Sequence, residues 1–328
     1  MVRYLASFFA VFLTLIGSAW LWVANRPMSF MQREYGMWGA KIEMCRELPA
    51  QSVIILGDSR AVTDMIPKSI GPDVANLAFG MGTPIDALAV VRVLLASARP
   101  PRAAVLSFSP VRVMENSFWE RGVMFGLFDS TMIEEVRDRS RVLQDPLFGP
   151  KSIGEVDARL KSALCLHHFP SFYSPSLING RVFQREAENW RIHREVRESL
   201  GYHAFGTLEG CRELSPECLI TSFKPSPLLD DYFAKLVALL QSRNIPVVFI
   251  GCPVNELTAA ALHPGFAAAY VTYIKDFETR YPGFHVLGDS FPTFSWTSFG
   301  DADHLNPQGA ALFSDRVAVL LRNAGIEK

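Results

Sequence analysis

The stretch Val53-Ile54-Ile55-Leu56-Gly57-Asp58-Ser59-Arg60 decides how the rest of the chain is read. Four aliphatic residues in a row, closed by Gly-Asp, predict a short strand buried on both faces, with Ser59 standing where the strand gives way to a helix near residues 60 to 70. The same alternation recurs outward from there. Val74 to Leu77 reads as a second strand, Pro84 to Ala98 as a helix opened by its proline, and Ala103 to Phe108 as a third strand. A second block follows much later. It has a helix near Leu228 to Arg243, a strand from Pro246 to Ile250, a long helix near Leu257 to Tyr281, a strand from Phe284 to Leu287 and a last helix from Pro307 to Asn323. Strands alternating with longer helical stretches predict an α/β fold with a parallel sheet and crossover helices.

Residues 111–225 break that rhythm. They hold aromatic and basic clusters such as Phe125 to Phe128 and Arg181 to Arg197 but no strand series, and read as a large, mainly helical insertion between the third and fourth strands. Insertions of this kind lie beside the active edge of an α/β sheet. Tyr4 to Asn25 carries no charge and is bounded by Arg3 and Arg26. About 20 apolar residues span a bilayer, and a signal-peptide core is shorter, about 7 to 15 residues. Ser18-Ala19-Trp20 is also a poor cleavage site, so the segment reads as an uncleaved anchor with Trp20 and Trp22 near one interface. The chain then divides into an anchor at 1–30, a juxtamembrane linker at 31–51, an α/β domain at 52–110 and 226–328, and the insertion at 111–225. Arg3 on one side faces Arg26, Arg33 and Lys41 on the other, so basic residues do not decide the orientation.

Composition excludes whole classes. With 49% hydrophobic and 20% charged residues over 328 positions, the chain is too apolar to be disordered. Lys+Arg 32 against Asp+Glu 33 gives a net charge of -1, which lacks the basic excess of a nucleic-acid binder. The five cysteines, Cys45, Cys165, Cys211, Cys218 and Cys252, form no CxxC pair. Cys211 and Cys218 either close a small disulfide loop or stay as two thiols. The adjacent His167 and His168 lack a multi-ligand pattern, so no metal or other cofactor is expected.

Two motifs carry chemistry. Ser59 at a helix start is suited either to nucleophilic attack, with backbone N–H groups ready for an oxyanion, or to capping the helix. Gly288-Asp289-Ser290, also after a strand, cautions that Gly-Asp-Ser alone is weak. The second motif is Asp301-Ala302-Asp303-His304-Leu305-Asn306-Pro307. Asn306 as N-cap and Pro307 at the first helical position place His304 on the preceding loop. Asp301 can then curl back to one ring nitrogen of His304 and leave the other for Ser59, while Asp303 points elsewhere.

A Gly-Asp-Ser after the first strand, a glycine-bearing turn after the second and Asp-x-x-His before the last helix together resemble the SGNH (GDSL-like) hydrolase superfamily. The resemblance covers about residues 52 to 108 and 226 to 325. It implies a flavodoxin-like three-layer α/β/α sandwich, with Ser59 as nucleophile, His304 as general base and Asp301 as the group orienting it. It also implies an oxyanion hole from the N–H groups of Ser59 and a glycine of the Asn76 to Thr83 turn, Gly82 preferred and Gly80 close behind, unless both glycines serve only the turn. The superfamily's Asn after the third strand is absent, because that segment reads Ser107-Phe108-Ser109-Pro110-Val111-Arg112 and no Asn occurs before Asn116. Either Ser109 or Arg112 substitutes, the hole has only two backbone donors, or the activity is degraded. Arg60 and Trp296 join Ser109 and Arg112 as candidate substrate contacts, and Trp119, Tyr173, Trp190 and Trp296 either stack on sugar rings or pack in the core.

The anchor narrows the resemblance to membrane-anchored SGNH-like proteins that work beside membrane-bound O-acyltransferases, in alginate and cellulose acetylation and in teichoic acid D-alanylation. That implies a single-pass protein of the cytoplasmic membrane with its catalytic domain on the periplasmic or extracellular face. It implies O-acyl transfer, with acetyl as the expected group, to an extracytoplasmic polysaccharide or glycan. An esterase or deacetylase using water, and a non-catalytic assembly subunit, are the alternatives.

Overall fold

A computed structural model describes residues 2–115, 120–145 and 181–327. The sequence-predicted candidates Trp119, Tyr173, His167, His168 and Cys165, and the side chain of Trp20, lie outside what is described.

The described residues form the strands β1 (Val53–Gly57), β2 (Val74–Asn76), β3 (Ala103–Ser107), β4 (Val247–Ile250), β5 (Val254–Asn255), β6 (Phe284–Leu287) and β7 (Thr293–Phe294). Five form one parallel sheet in the order β2-β1-β3-β4-β6. β5 and β7, which no periodicity announces because each is two residues long, pair separately. β1 and β3 are buried at every position, as expected of central parallel strands covered on both faces. β6, at one edge, is buried only at Phe284. At the other edge β2 is covered, and the Asn76 N–H donates to the Leu200 carbonyl at 2.8 Å, so the end of the insertion closes the edge.

Helices α1 (Val2–Ala24), α2 (Pro27–Phe30), α3 (Tyr35–Glu47), α4 (Ser59–Asp64), α5 (Pro67–Ile70) and α6 (Pro84–Ala96) make up the first part of the chain. The single helix expected over 60–70 is two, because Pro67 disfavours helical geometry at Ile66, which is extended. The long helix expected over 257–281 breaks for the same reason at Pro264, into Glu256–Ala261 and Pro264–Arg280. α6 packs against the helix Pro227–Ser242, and α4 and α5 pack against Pro307–Asn323. Among the described residues of the insertion there are helices but no strand.

Val2–Val23 of α1 is long and apolar enough to cross a membrane, and its large side chains are exposed along most of its length. Residues 31–51 are not a linker. α3 packs against α6 and the helix Val182–Glu198. Met37, Trp38 and even Lys41 are buried, and Trp38 stacks on Phe79 with ring centroids 4.1 Å apart. Apolar residues at 37, 38, 42 and 45 give α3 a face that needs covering. Trp38→Ala is expected to cost about 3 to 5 kcal/mol, roughly a 6 to 15 °C fall in melting temperature. A change within about 1 °C in thermal unfolding would return the segment to linker status.

Candidate active site

The turn that carries Ser59 is built from its glycine upward. A Cβ at Gly57 would stand 1.9 Å from the Ser107 carbonyl oxygen and 2.8 Å from Ala61 Cβ, so only glycine lets the end of β1 lie this close to the end of β3. Asp58, also buried, then ties the two strand ends together. Its Oδ1 accepts from the Arg60 N–H at 2.9 Å, capping α4, and its Oδ2 accepts from the Ser109 N–H at 2.8 Å and the Ser109 hydroxyl at 2.6 Å. Ser59 is thereby left as the first residue of α4 with its hydroxyl free to face the other motif.

That motif is fixed by its own hydrogen bonds. Asn306 caps the last helix, accepting from the Gly309 N–H at 2.9 Å, and the Gly300 N–H donates to the His304 carbonyl at 2.9 Å to close the loop. Inside it, Asp301 Oδ1 accepts from the backbone N–H groups of Asp303 and His304, both at 2.8 Å. Its carboxylate oxygens lie 3.0 and 2.9 Å from His304 Nδ1. His304 Nε2 lies 2.9 Å from Ser59 Oγ. With the ring proton on Nδ1 donated to Asp301, Nε2 is a lone-pair acceptor for the serine hydroxyl.

The electrostatics fit a base. Burial alone would lower the His304 pKa, but the hydrogen bond and charge of Asp301 outweigh it and hold the pKa above the usual 6.5. Burial would raise the Asp301 pKa, but the His304 bond holds it below 3.8.

Arg60 is not a substrate contact. Its guanidinium is buried, with Nη2 3.0 Å from Glu217 and 2.9 Å from Asp303, so Asp303 turns away from His304 to neutralise it. Ser109 is likewise committed to Asp58 and cannot replace the missing Asn. The side chain of Arg112, half-exposed on the helix Val111–Met114, makes no hydrogen bond or ion pair among the described residues, while its N–H donates to the Ser109 carbonyl at 3.0 Å. Trp296 has Arg212 stacked over its ring at 4.3 Å, which covers one face. Trp190 is half-exposed on the helix Val182–Glu198, against His193.

The order of the two glycines is inverted. The Gly82 N–H is spent on the Phe79 carbonyl at 2.9 Å, whereas the N–H groups of Gly80 and Ser59 have no acceptor among the described residues. The backbone bends here because Met81 has a positive φ of 62°. Cys211 and Cys218 are both free thiols. Among the described residues no group of three His, Cys, Asp or Glu has a metal-binding arrangement.

Sequence reasoning missed two residues. Asp64, one turn and a half beyond Ser59, is fully buried and accepts the Leu305 N–H at 2.9 Å, holding the residue after His304. Burial pushes its carboxyl up to about 8, against the pull of His304. Phe205 lies with its ring tilted 50° on His304 at 5.3 Å. No sequence signal marks Phe205: it is placed by a glycine pair, since a Cβ on Gly206 would stand 2.7 Å from Gly300 C where the two loops cross.

The chain matches no family model, and no curated protein matches it.

Two outcomes follow from the site's charges. An activity that uses His304 as base should rise with pH through a limb above 6.5, and Asp301→Asn should move that limb down while lowering the rate by about 10³ to 10⁴. An unmoved limb in the pH–rate profile would remove Asp301 from this role. For Asp64, the raised folded pKa means the folded chain keeps a proton the unfolded chain loses between 3.8 and about 8, so stability falls as pH rises across that window. Asp64→Asn should therefore raise the melting temperature at pH 8 by more than at pH 4, by roughly 2 °C or more. Equal shifts at both pH values would contradict a buried neutral carboxyl.

Proposed function

We propose that this chain is a membrane-anchored SGNH-like serine acyltransferase, passing an acyl group, acetyl in the simplest case, to a hydroxyl of an extracytoplasmic glycan beside a membrane-bound O-acyltransferase. The observation that carries the reading is the hydrogen-bonded line from Asp301 through His304 to Ser59. Two features add support. The strand order β2-β1-β3-β4-β6 follows the 2-1-3-4-5 order of flavodoxin-like sheets, and two helix groups pack as a three-layer sandwich requires. Both motifs stand at the carboxyl ends of strands or on the loop that meets them, where such sheets bind ligands. α1 supplies the anchor, with the catalytic body outside the cytoplasm.

The chemistry runs in two halves. His304 Nε2 takes the Ser59 proton as Oγ attacks the acyl carbonyl, and the N–H groups of Ser59 and Gly80 receive the oxyanion. The leaving group departs with the proton from His304, giving an acyl-serine. A sugar or polyol hydroxyl then attacks, with His304 again as base. Water in that second half gives an esterase from the same groups, so transfer requires the acceptor to be held better than water. A two-donor oxyanion hole is weaker than one with a third, a deficit on the order of 10² to 10³ in rate, which suits an enzyme fed an activated acyl group by a partner.

The test is turnover of a small acetyl ester by the full chain in detergent, with and without an oligosaccharide acceptor. Wild type should show acetyl release and an acetylated oligosaccharide, and Ser59→Ala and His304→Ala should each lose at least about 10³. Acetate alone would make the protein an esterase. Equal background in all three would make it a non-catalytic assembly subunit.

A further inference from the structure

We propose that the cavity between α3 and the loop 203–205 is the acceptor subsite, and that it takes one hydroxylated unit, a sugar or polyol, with His203 as its hydrogen-bonding partner. The proposal rests on the acyl-transfer reading above. Its own basis is a cavity of about 290 Å³ walled by Arg33, Glu34, Met37, Ile192 and the loop from His203 to Phe205.

The walls connect this cavity to the reacting groups. Phe205, which forms one wall, is the ring that packs on His304 at 5.3 Å. Its Cζ and the Cε of Met37 stand 3.5 and 3.4 Å from where a Cβ of Gly80 would be, so the same two side chains line the turn that offers the free Gly80 N–H. One side chain, Phe205 or Met37, therefore separates a ligand in the cavity from the base and from the Gly80 turn.

The lining selects the ligand class. His203 is held by its backbone, accepting the Thr63 hydroxyl at 3.0 Å, and its ring meets Phe205 edge-on at 5.3 Å. Its ring nitrogens have no hydrogen-bond partner among the described residues. Burial keeps the ring neutral, with a pKa down at about 4. A neutral imidazole offers one donor and one acceptor, the complement of a hydroxyl group. The aromatic face of Phe205 and the thioether of Met37 suit the apolar face of a sugar ring. Exposed Arg33 adds donors at the mouth. The volume lies at the small end of ligand pockets, about 300 to 1,000 Å³, which fits one ring or polyol, and the imidazole and guanidinium disfavour an acyl tail there.

In the second half-reaction the bound hydroxyl oxygen bonds to the acyl carbon and the bond from that carbon to Ser59 Oγ breaks. His304 Nε2 takes the acceptor proton and returns it to Ser59 Oγ, so the enzyme ends as it began.

The experiment has two arms on the full chain in detergent. In the first, saturation-transfer NMR on Ser59→Ala protein uses a panel of methyl glycosides and glycerol as probes. In the second, acetyl-Ser59 formed from a small acetyl ester is chased with the same compounds, and the ratio of transfer to hydrolysis is read. Met37→Trp fills the cavity, His203→Phe removes its polar atoms at similar size, and Arg33→Ala, on the surface, leaves the core untouched. The expected result is saturation transfer from at least one probe, lost in the two cavity variants. Their transfer-to-hydrolysis ratio should fall by about tenfold, as loss of a buried hydrogen bond implies, with a smaller fall for Arg33→Ala. Binding and ratios equal to the parent in all three variants, or no saturation transfer from any probe, would overturn the proposal. Binding that depends on His203 in a protein that forms no acetyl-serine would leave the subsite standing and overturn the acyl-transfer reading instead.

Discussion

The buried guanidinium of Arg60 is the constraint on which the site's architecture depends. An arginine taken out of water must find anionic partners, because an uncompensated buried charge costs several kcal/mol. Here the partners are Glu217 at 3.0 Å and Asp303 at 2.9 Å. Burial would depress the Arg60 pKa, but these carboxylates outweigh it and push the pKa further up, so the charge is permanent. Arg60 follows Ser59 and Asp303 precedes His304. The ion pair therefore clamps the two motifs one residue away from where they meet, across more than two hundred residues of sequence. Glu217 brings the tail of the insertion into the same contact, so the insertion is part of the scaffold that sets the Ser59 to His304 distance.

Around that clamp each short polar residue has one structural task, which leaves Ser59 and His304 facing each other. Asp58 joins the ends of β1 and β3 through Ser109, Asp301 folds its own loop before it reaches the imidazole, and Asp64 holds the backbone just past His304. Ser109 illustrates the consequence. It occupies the segment where a third oxyanion donor was sought, yet its hydroxyl and N–H are both spent on Asp58. That leaves the N–H groups of Ser59 and Gly80, which have no acceptor among the described residues, as the donors on which the proposed reaction draws.

Much of this was legible in the residues. Short apolar runs located the five strands of the main sheet, most clearly β1 and β3, because a strand buried on both faces leaves an unbroken apolar signature. Asn306-Pro307 marked the start of the last helix and hence the loop that carries His304. The rest depends on tertiary contact. α3 looked like a linker because Gly36, Gly39 and Lys41 dilute its apolar pattern, and its buried status comes from Phe79 and the helix Val182–Glu198, far away in sequence. The sequence puts Gly82 narrowly before Gly80, and the hydrogen bond from the Gly82 N–H to Phe79 reverses that order. Phe205 carries no motif at all. It reaches His304 because Gly206 and Gly300 let two loops cross, a pairing visible only once both are placed.

The central claim is that Ser59 is a nucleophile activated by His304. It is tested most directly by treating the folded full chain with a fluorophosphonate and mapping the adduct by peptide mass. Fluorophosphonates phosphonylate an activated serine and leave ordinary hydroxyls alone. One adduct per chain is expected, on Ser59, absent after denaturation and absent in His304→Ala, even though Ser290 follows a second Gly-Asp. No adduct in folded protein, or an equal one in His304→Ala, would contradict it.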